Sequence, residues 1–412
     1  MTAPPAPPVP PARPLLTRTV LGLGLVSLCT DAASDMIWPL LPVLLADTMH
    51  QSAAWAGVIE GVADAVAAAV KYAVGRRSDR IGRRKPYIVG GYAVSSIVRP
   101  LLALASLPVH ALLIRVVDRV GKGVRTAPRD ALLAQEAPPE GRATVFGFHR
   151  AMDNLGALIG PLLALGILAL SGDDPRAVAR ATIVPGALAL FAALWIVREP
   201  LRSEGAGDGS SASGLQPVQG TAMTARDAAD PAWNPGLRRY LTAVGLFALA
   251  NASDVFLIAQ ARRAGASVRD VVLLWAGLSA VRAVSTVPGG ALADRFGRRR
   301  ALQVGWGLYA FAYAVFPLAR GGWALAGVTL VYGLYYGLTE GAEKALVARW
   351  APPESLGRAY GALALVTGIG SLAASLLFAL LFSAGDGRWA FWTAAALALA
   401  AAVALGSDRR PA

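Results

Sequence analysis

The chain has 412 residues, 55% apolar and only 16% charged, with a mean hydropathy of +0.50. Soluble domains run about 45–50% apolar and about 25% charged, so this balance argues against a disordered chain, a fibre, a disulfide scaffold or an ordinary soluble enzyme, and for a polytopic helical membrane protein. The net charge of +13 would raise the question of nucleic acid in a soluble protein, but here the basic residues form short clusters between apolar runs, a pattern of membrane orientation rather than groove binding.

In chain order, residues 1–16 open with APPAPPVPPARP and read as a disordered, Pro-rich arm rather than a signal peptide. A bilayer core takes about 20 mostly apolar residues per helix. That ruler places twelve spans, beginning near Thr19, Ala53, Pro86, Val109, Thr144 and Ala177, then near Tyr240, Val271, Ala301, Gly322, Ala359 and Trp389. The expected organisation is a six-helix bundle over 17–198, a linker rich in Gly, Ser and Asp over 199–238, a second six-helix bundle over 239–406, and a tail over 407–412. Cys29, the single cysteine, lies in an apolar run and has no partner for an intrachain disulfide.

Short-loop Lys and Arg set the orientation. Arg76, Arg77, Arg80, Arg83, Arg84 and Lys85 follow the second span, Arg129 and Arg142 the fourth, Arg198 and Arg202 the sixth, and Arg295, Arg298, Arg299 and Arg300 the eighth. Both termini and the linker are therefore expected on the cytoplasmic side of a bacterial inner membrane. Arg176, Arg180, Arg262 and Arg263 on the other side are fewer exceptions.

Three echoes recur at a near-constant offset. GRRSDRIGRR at Gly75–Arg84 matches GALADRFGRR at Gly290–Arg299; APPEGRA at Ala137–Ala143 returns with an insertion as APPESLGRA at Ala351–Ala359; and Ser34-Asp35 matches Ser253-Asp254. Duplicated halves of this kind are how secondary transporters build a midplane site between two rocking bundles.

On these residues the chain resembles the major facilitator superfamily over nearly its whole length after the arm. The G-x-x-x-D-R-x-G-R-R signature after the second helix carries the likeness, and here it stands in both halves. The resemblance implies an all-α membrane protein of twelve transmembrane helices in two pseudo-symmetric bundles that alternate access to a central cavity. It also implies that Asp79 belongs to a conformational lock, with Asp294 its second-half counterpart. Gly75, Gly82, Gly290 and Gly297 suit close approach and tight turns, and Arg80, Arg83, Arg84, Arg295, Arg298 and Arg299 complete the lock set. In the fifth helix Gly156, Gly160 and Pro161 resemble the G-x-x-x-G-P signature of exporting antiporters, although Ala164-Leu165 stands where a glycine pair is usual.

A charge at mid-bilayer costs about 2.5–3.5 kcal/mol on insertion scales, so each one is a functional candidate. The deep group expected on the substrate or proton pathway is Asp31, Asp35, Asp64, Arg115, Asp118, Asp254 and Arg282. His149, Arg150, Asp153 and Glu340 form an expected gate, while Lys71, Lys122, Glu343 and Lys344 read as snorkelling or loop-paired near the helix ends. By resemblance to the family's R-x-x-x-G pattern on helix four, although Asp118 and Arg119 stand where a glutamine and a glycine are usual, Arg115 is the candidate proton-coupling arginine, with Asp35 and Asp254 as carboxylates alternating between protonated and ionised states. Trp38, Trp55, Trp275, Trp306, Trp350 and Trp389 read mostly as interface anchors.

H-E-x-x-H, G-x-S-x-G and P-loop patterns are absent, and His50, His110 and His149 lack metal-ligand spacing. The reading is a non-enzymatic secondary transporter without a metal or other cofactor, coupled to protons. It moves a small molecule across the lipid bilayer as a monomer, with no nucleic acid and no obligate protein partner. Efflux is the first expectation. Uptake of an anionic or metal-chelating solute is the alternative, and a non-transporting sensor or scaffold is the reading from another class.

Overall fold

The structure is a computed structural model describing residues 14–41, 44–45, 54–199, 235–252, 254, 256–257, 260–261, 265, 268–383 and 387–406. Residues 1–13 of the Pro-rich arm, most of the linker, the tail, the loop at Asp47–Gln51, Ser253, Arg262 and Arg263 lie outside the described residues, as do the side chains of Trp55, Glu60 and Trp275.

Twelve helical segments account for nearly all of it. They are α1 (Arg18–Ile37), α2 (Ala54–Ile81), α3 (Lys85–Val98, extended by a 3-10 turn to Leu104), α4 (Pro108–Glu136), α5 (Arg142–Ser171) and α6 (Pro175–Trp195, interrupted at Thr182). The second half holds α7 (Pro235–Ala250), α8 (Val268–Phe296), α9 (Arg298–Val315), α10 (Gly322–Trp350), α11 (Leu356–Ser383) and α12 (Arg388–Gly406). Each begins within about five residues of the sequence expectation, the error to be expected when ends are read from periodicity.

The ends follow local chemistry. Thr17 caps α1 by accepting from the Val20 amide, and Asp174 caps α6 from Arg176. Pro86, Pro108 and Pro175 sit in first turns, where a missing N–H costs nothing. Gly172, at φ +67°, closes α5 in the left-handed conformation. Seven of the segments are long and apolar enough to cross a membrane by length and composition. Among the rest, α2, α4, α8 and α10 have 28 or 29 residues each but dilute their apolar content with inward charges, glycines and tyrosines. Large apolar side chains such as Leu104 and Leu170 face outward, 77% and 91% exposed, as lipid contact requires.

The helices pack as a repeated pattern. In the first half α1 lies on α5 and α6, α2 on α4, and α3 on α4 and α6; in the second α7 lies on α11 and α12, α8 on α10, and α9 on α10 and α12. Between halves, α2 meets α11 just as α8 meets α5, and α10 also touches α5. The result is two pseudo-symmetric six-helix bundles facing each other.

Their interiors differ chemically. The first bundle buries Arg99, Arg115, Asp118, Arg125, Arg129, Asp130 and His149 at 8% exposure or less. The second buries an aromatic cluster in which Phe247 stacks on Trp306 with centroids 4.7 Å apart and Tyr309 stacks on Tyr313. Trp306 is fully buried there and is a core residue, not an interface anchor, because its ring completes this stack. Trp389, 66% exposed, keeps the position expected of an anchor.

Candidate functional site

The basic loops mark one end of the molecule, where the two sequence echoes meet each other. Asp79, in the last turn of α2, accepts the backbone N–H groups of Gly357 (2.9 Å) and Arg358 (2.6 Å) at the start of α11. Asp294, in the last turn of α8, accepts those of Ala143 (3.2 Å) and Thr144 (2.8 Å) at the start of α5, together with the Thr144 hydroxyl. The first amides of a helix lack intrahelical acceptors and carry the positive end of its dipole, so a carboxylate there satisfies both.

Each aspartate is held by an arginine that also donates to the partner half. Arg84 pairs with Asp79 at 3.4 Å and donates to the Pro353 carbonyl at 3.0 Å. Arg298 pairs with Asp294 at 2.8 Å and donates to the Pro139 carbonyl. In the aligned motif Arg298 matches Arg83, which is exposed; Arg84 carries this role in the first half. Arg80 and Arg295 are also exposed, and Arg299 donates to the Leu405 carbonyl at the end of α12.

Glycine permits the crossings. A Cβ on Gly75 would stand 2.2 Å from the Gly357 oxygen, and one on Gly290 would stand 2.4 Å from the Ala143 oxygen. Gly82 and Gly297, at φ +71° and +102°, make the turns that leave α2 and α8. Of the expected lock residues, Asp79, Arg84, Asp294, Arg298 and the glycines come together and grip APPE-GRA, whereas Arg80, Arg83 and Arg295 are exposed and Arg299 turns to Leu405.

A second layer lies deeper. Arg150 is eight residues into α5, about 12 Å from its start at 1.5 Å per residue. It bridges Asp153 (3.0 Å) on its own helix and Glu340 (2.5 Å) on α10. One turn nearer the basic end of α10, Lys344 pairs with Asp130 of α4 at 2.7 Å. Asp153 also accepts from Ser27 of α1 and lies 3.6 Å from His149. All four expected gate residues belong to this layer. Lys344 is not a snorkelling side chain; its ammonium turns inward across the interface because Asp130 is the nearer counter-charge.

The deep group divides. Asp31 and Asp35 are half-buried and make no hydrogen bond or ion pair among the described residues. Gly156 and Gly160 set them against α5, since Cβ atoms there would fall 2.4 Å from the Leu28 oxygen and 2.6 Å from the Ala32 oxygen. Pro161 lies within α5, which continues through it. Asp64 pairs with Arg119 at 3.1 Å while 64% of its side chain stays exposed. A carboxylate so exposed at mid-depth faces water rather than lipid. Lys122 stands near the middle of α4, not at its end.

Asp254 accepts from Arg282 (2.7 Å) and Tyr332 (2.5 Å), with Tyr336 at 3.4 Å, and the Arg282 guanidinium lies 3.7 Å from the Tyr336 ring centre. Arg115 and Asp118 lie inside the first bundle rather than on its inner face. Asp118 takes both Arg99 (2.9 Å) and Arg115 (3.2 Å), Arg115 covers the Trp38 ring, and Arg99 donates to the Thr30 carbonyl. That network ties α1, α3 and α4 together.

Sequence reasoning passed over Tyr332 and Tyr336. The signal was a four-residue spacing, Tyr332, Tyr336, Glu340 and Lys344, that lays one polar stripe along α10.

The sequence profile of the Major Facilitator Superfamily matches residues 23–342 and again 241–412. The chain belongs to the major facilitator superfamily. It is 28% identical over 369 residues to an uncharacterised MFS-type transporter of Methanocaldococcus jannaschii, covering 88% of each chain. It is also 28% identical over 384 residues to an uncharacterised protein of Mycobacterium tuberculosis, covering 91% of this chain and 90% of that one. Among solved structures it is similar to the human organic anion transporter MFSD10, with a TM-score of 0.73 at 18% identity over 94% of this chain and 99% of the other. It is similar too to a bacterial homologue of the iron transporter ferroportin in an outward-facing state, with a TM-score of 0.72 at 16% identity over 95% and 99%. At such identities these two establish the fold alone. This superfamily member is an integral membrane protein and a secondary transporter, not an enzyme.

Proposed function

We propose that this transporter exports a small organic solute in exchange for protons, with Asp31 and Asp35 as the proton-carrying groups. The observation that carries this reading is the state of those two carboxylates. Asp118, Asp130, Asp153 and Asp254 each hold a cation within 3.2 Å, whereas Asp31 and Asp35 hold none among the described residues. A half-buried carboxylate with no fixed partner exchanges a proton at the least structural cost. Export is favoured by the G-x-x-x-G-P likeness in α5. The basic loops favour a cytoplasmic position for the locked end, in a bacterial inner membrane, with 199–238 as the linker between halves.

In this reading the structure is the state closed at the basic end. Asp79, Asp294, Arg150–Glu340 and Lys344–Asp130 hold the halves together there, while Asp64 and Arg150, 64% and 36% exposed, mark the water-accessible space reached from the opposite end. Proton binding with release of the solute would exchange this state for the one open at the basic end.

Uptake of an anionic solute is the second reading, and Arg282 favours it. Its guanidinium is partly accessible between Asp254 and the Tyr336 ring, a setting in which an aromatic anion finds both charge and a stacking face. The name of the MFSD10 structure, an organic anion transporter, points the same way. A bare metal ion is less suited, since no group of three or more His, Cys, Asp or Glu among the described residues is placed to hold one.

Proteoliposomes carrying an internal pH dye and challenged with a panel of organic anions and cations test both readings. Solute-driven proton flux that falls at least tenfold in Asp31→Asn and Asp35→Asn supports coupling through these residues. Unchanged stoichiometry in both variants removes them from the mechanism.

A further inference from the structure

His149 is fully buried, and neither ring nitrogen has a hydrogen-bond partner among the described residues. Leaving a buried polar group unsatisfied is unfavourable, so a position with no structural return calls for another explanation. Asp153, which holds Arg150 and through it Glu340 of the opposite bundle, is 3.6 Å from Nδ1, and Arg129, Lys344 and Asp130 are the ring's other electrostatic neighbours.

We propose that His149 is a proton-binding site of the gate, separate from Asp31 and Asp35, and that a proton on its ring releases Lys344 from Asp130. The inference rests on the reading that the basic end opens and closes, and it does not depend on which solute is carried.

Charge balance supplies the argument. The groups facing His149 are Arg129 and Asp130 from α4, Asp153 from its own helix and Lys344 from α10; Ser27 of α1 reaches it through Asp153. The α8 backbone packs against this turn of α5 with Thr286 and Val287, neither of them charged. Around the neutral imidazole, Arg129 and Lys344 pair with Asp130, and Arg150 with Asp153 and Glu340; Asp31 and Glu343 are further electrostatic neighbours of this set. A proton on the fully buried ring adds a positive charge that is attracted to Asp153 and repelled by Arg129 and Lys344. Arg129 is fixed to Asp130 on its own helix. Lys344 belongs to the opposite bundle, so the repulsion is relieved by separating the halves. Since the charged ring is better accommodated once Lys344 has left and water has entered, proton uptake and opening favour each other.

Asp31 and Asp153 are electrostatic neighbours, and Asp153 lies 3.6 Å from the ring, so a proton held by Asp31 would pass to the ring by way of Asp153. The carboxyl O–H bond breaks as the ring N–H bond forms, leaving a carboxylate and an imidazolium.

Full-length protein in lipid nanodiscs, spin-labelled at Glu140→Cys and Glu354→Cys, tests the inference. These are equivalent exposed positions on the two sides of the basic end, and the buried native thiol would be replaced by Cys29→Ala. Double electron–electron resonance then reads the closed and open populations between pH 7.5 and pH 5.5. The wild-type open-to-closed ratio is expected to rise on acidification, by no more than about tenfold per pH unit, the limit for one proton. His149→Gln is expected to show the closed distance at every pH, and His149→Lys the open distance at every pH. Lys344→Met, which removes the latch, is expected to lose the pH response whatever occupies 149. A His149→Gln protein with the wild-type pH response overturns the inference, as does a wild type whose distances ignore pH. Loss of solute-driven proton flux in the Asp31 and Asp35 variants with this distance response intact would bear on the coupling reading alone.

Discussion

Asp35 and Asp254 occupy matching places in the repeat, yet Asp254 is bonded to Arg282 and Tyr332 at 2.5–2.7 Å while Asp35 is bonded to nothing among the described residues. Duplication therefore conserves position without conserving chemical state. The difference comes from the neighbours: the second bundle brings Arg282 and two tyrosines to its aspartate, whereas the arginines nearest Asp35 are committed to Asp118.

That contrast separates two substitutions. Asp254→Asn strands Arg282 without its counter-charge, and breaking one side of a buried pair costs about 3–5 kcal/mol. The lower end applies, since the two side chains keep 14% and 19% exposure. Asp35→Asn breaks no ion pair among the described residues. Thermal unfolding in detergent should show a clear fall in Tm for Asp254→Asn and almost none for Asp35→Asn, with Asp254→Asn/Arg282→Met recovering most of the loss.

The lock aspartates should act in parallel. A carboxylate at a helix N-terminus contributes about 0.3–1 kcal/mol, and up to about 2 kcal/mol when partly buried. Asp79→Ala and Asp294→Ala should each shift the balance toward the state open at the basic end by roughly 5- to 30-fold. The double variant should show about the summed free energy, because the two sites share no partner. Labelling rates of a cysteine placed on the interface at that end would report the shift.

Backbone proximity predicts a steric series. Gly75→Ala and Gly290→Ala place a methyl group against a carbonyl of the other half, so both should weaken closure at the basic end, read by the same labelling assay. Gly166→Ala, where a Cβ meets nothing within 4 Å, should behave as wild type. Equal behaviour of all three would mean that the halves do not approach as closely as the structure shows.

Burial separates the tryptophans. Truncating a buried aromatic ring costs about 3–5 kcal/mol, so Trp306→Ala should lower the melting temperature sharply. Trp389→Ala, exposed to the surroundings, should stay within about 0.5 kcal/mol of wild type. Intrinsic-fluorescence melts of the two variants would show it.

Helix number, order and approximate ends were legible because a span is a local property: twenty apolar residues declare themselves whatever they pack against, and Pro86, Pro108 and Gly172 mark ends through their own backbone limits. The repeat was legible for a similar reason, since GRRSDRIGRR and GALADRFGRR can be laid side by side without coordinates. What each motif touches was not. Asp79 and Gly357 are hundreds of residues apart, and no periodicity announces that one echo caps the helix opened by the other. Nor could depth or charge along a single helix tell that Asp118 is consumed inside its bundle, that Lys344 turns inward to Asp130, or that Asp31 and Asp35 make no ion pair among the described residues. Pairing of charges is a matter of distances of about 3 Å between different helices, and only their packing sets those distances.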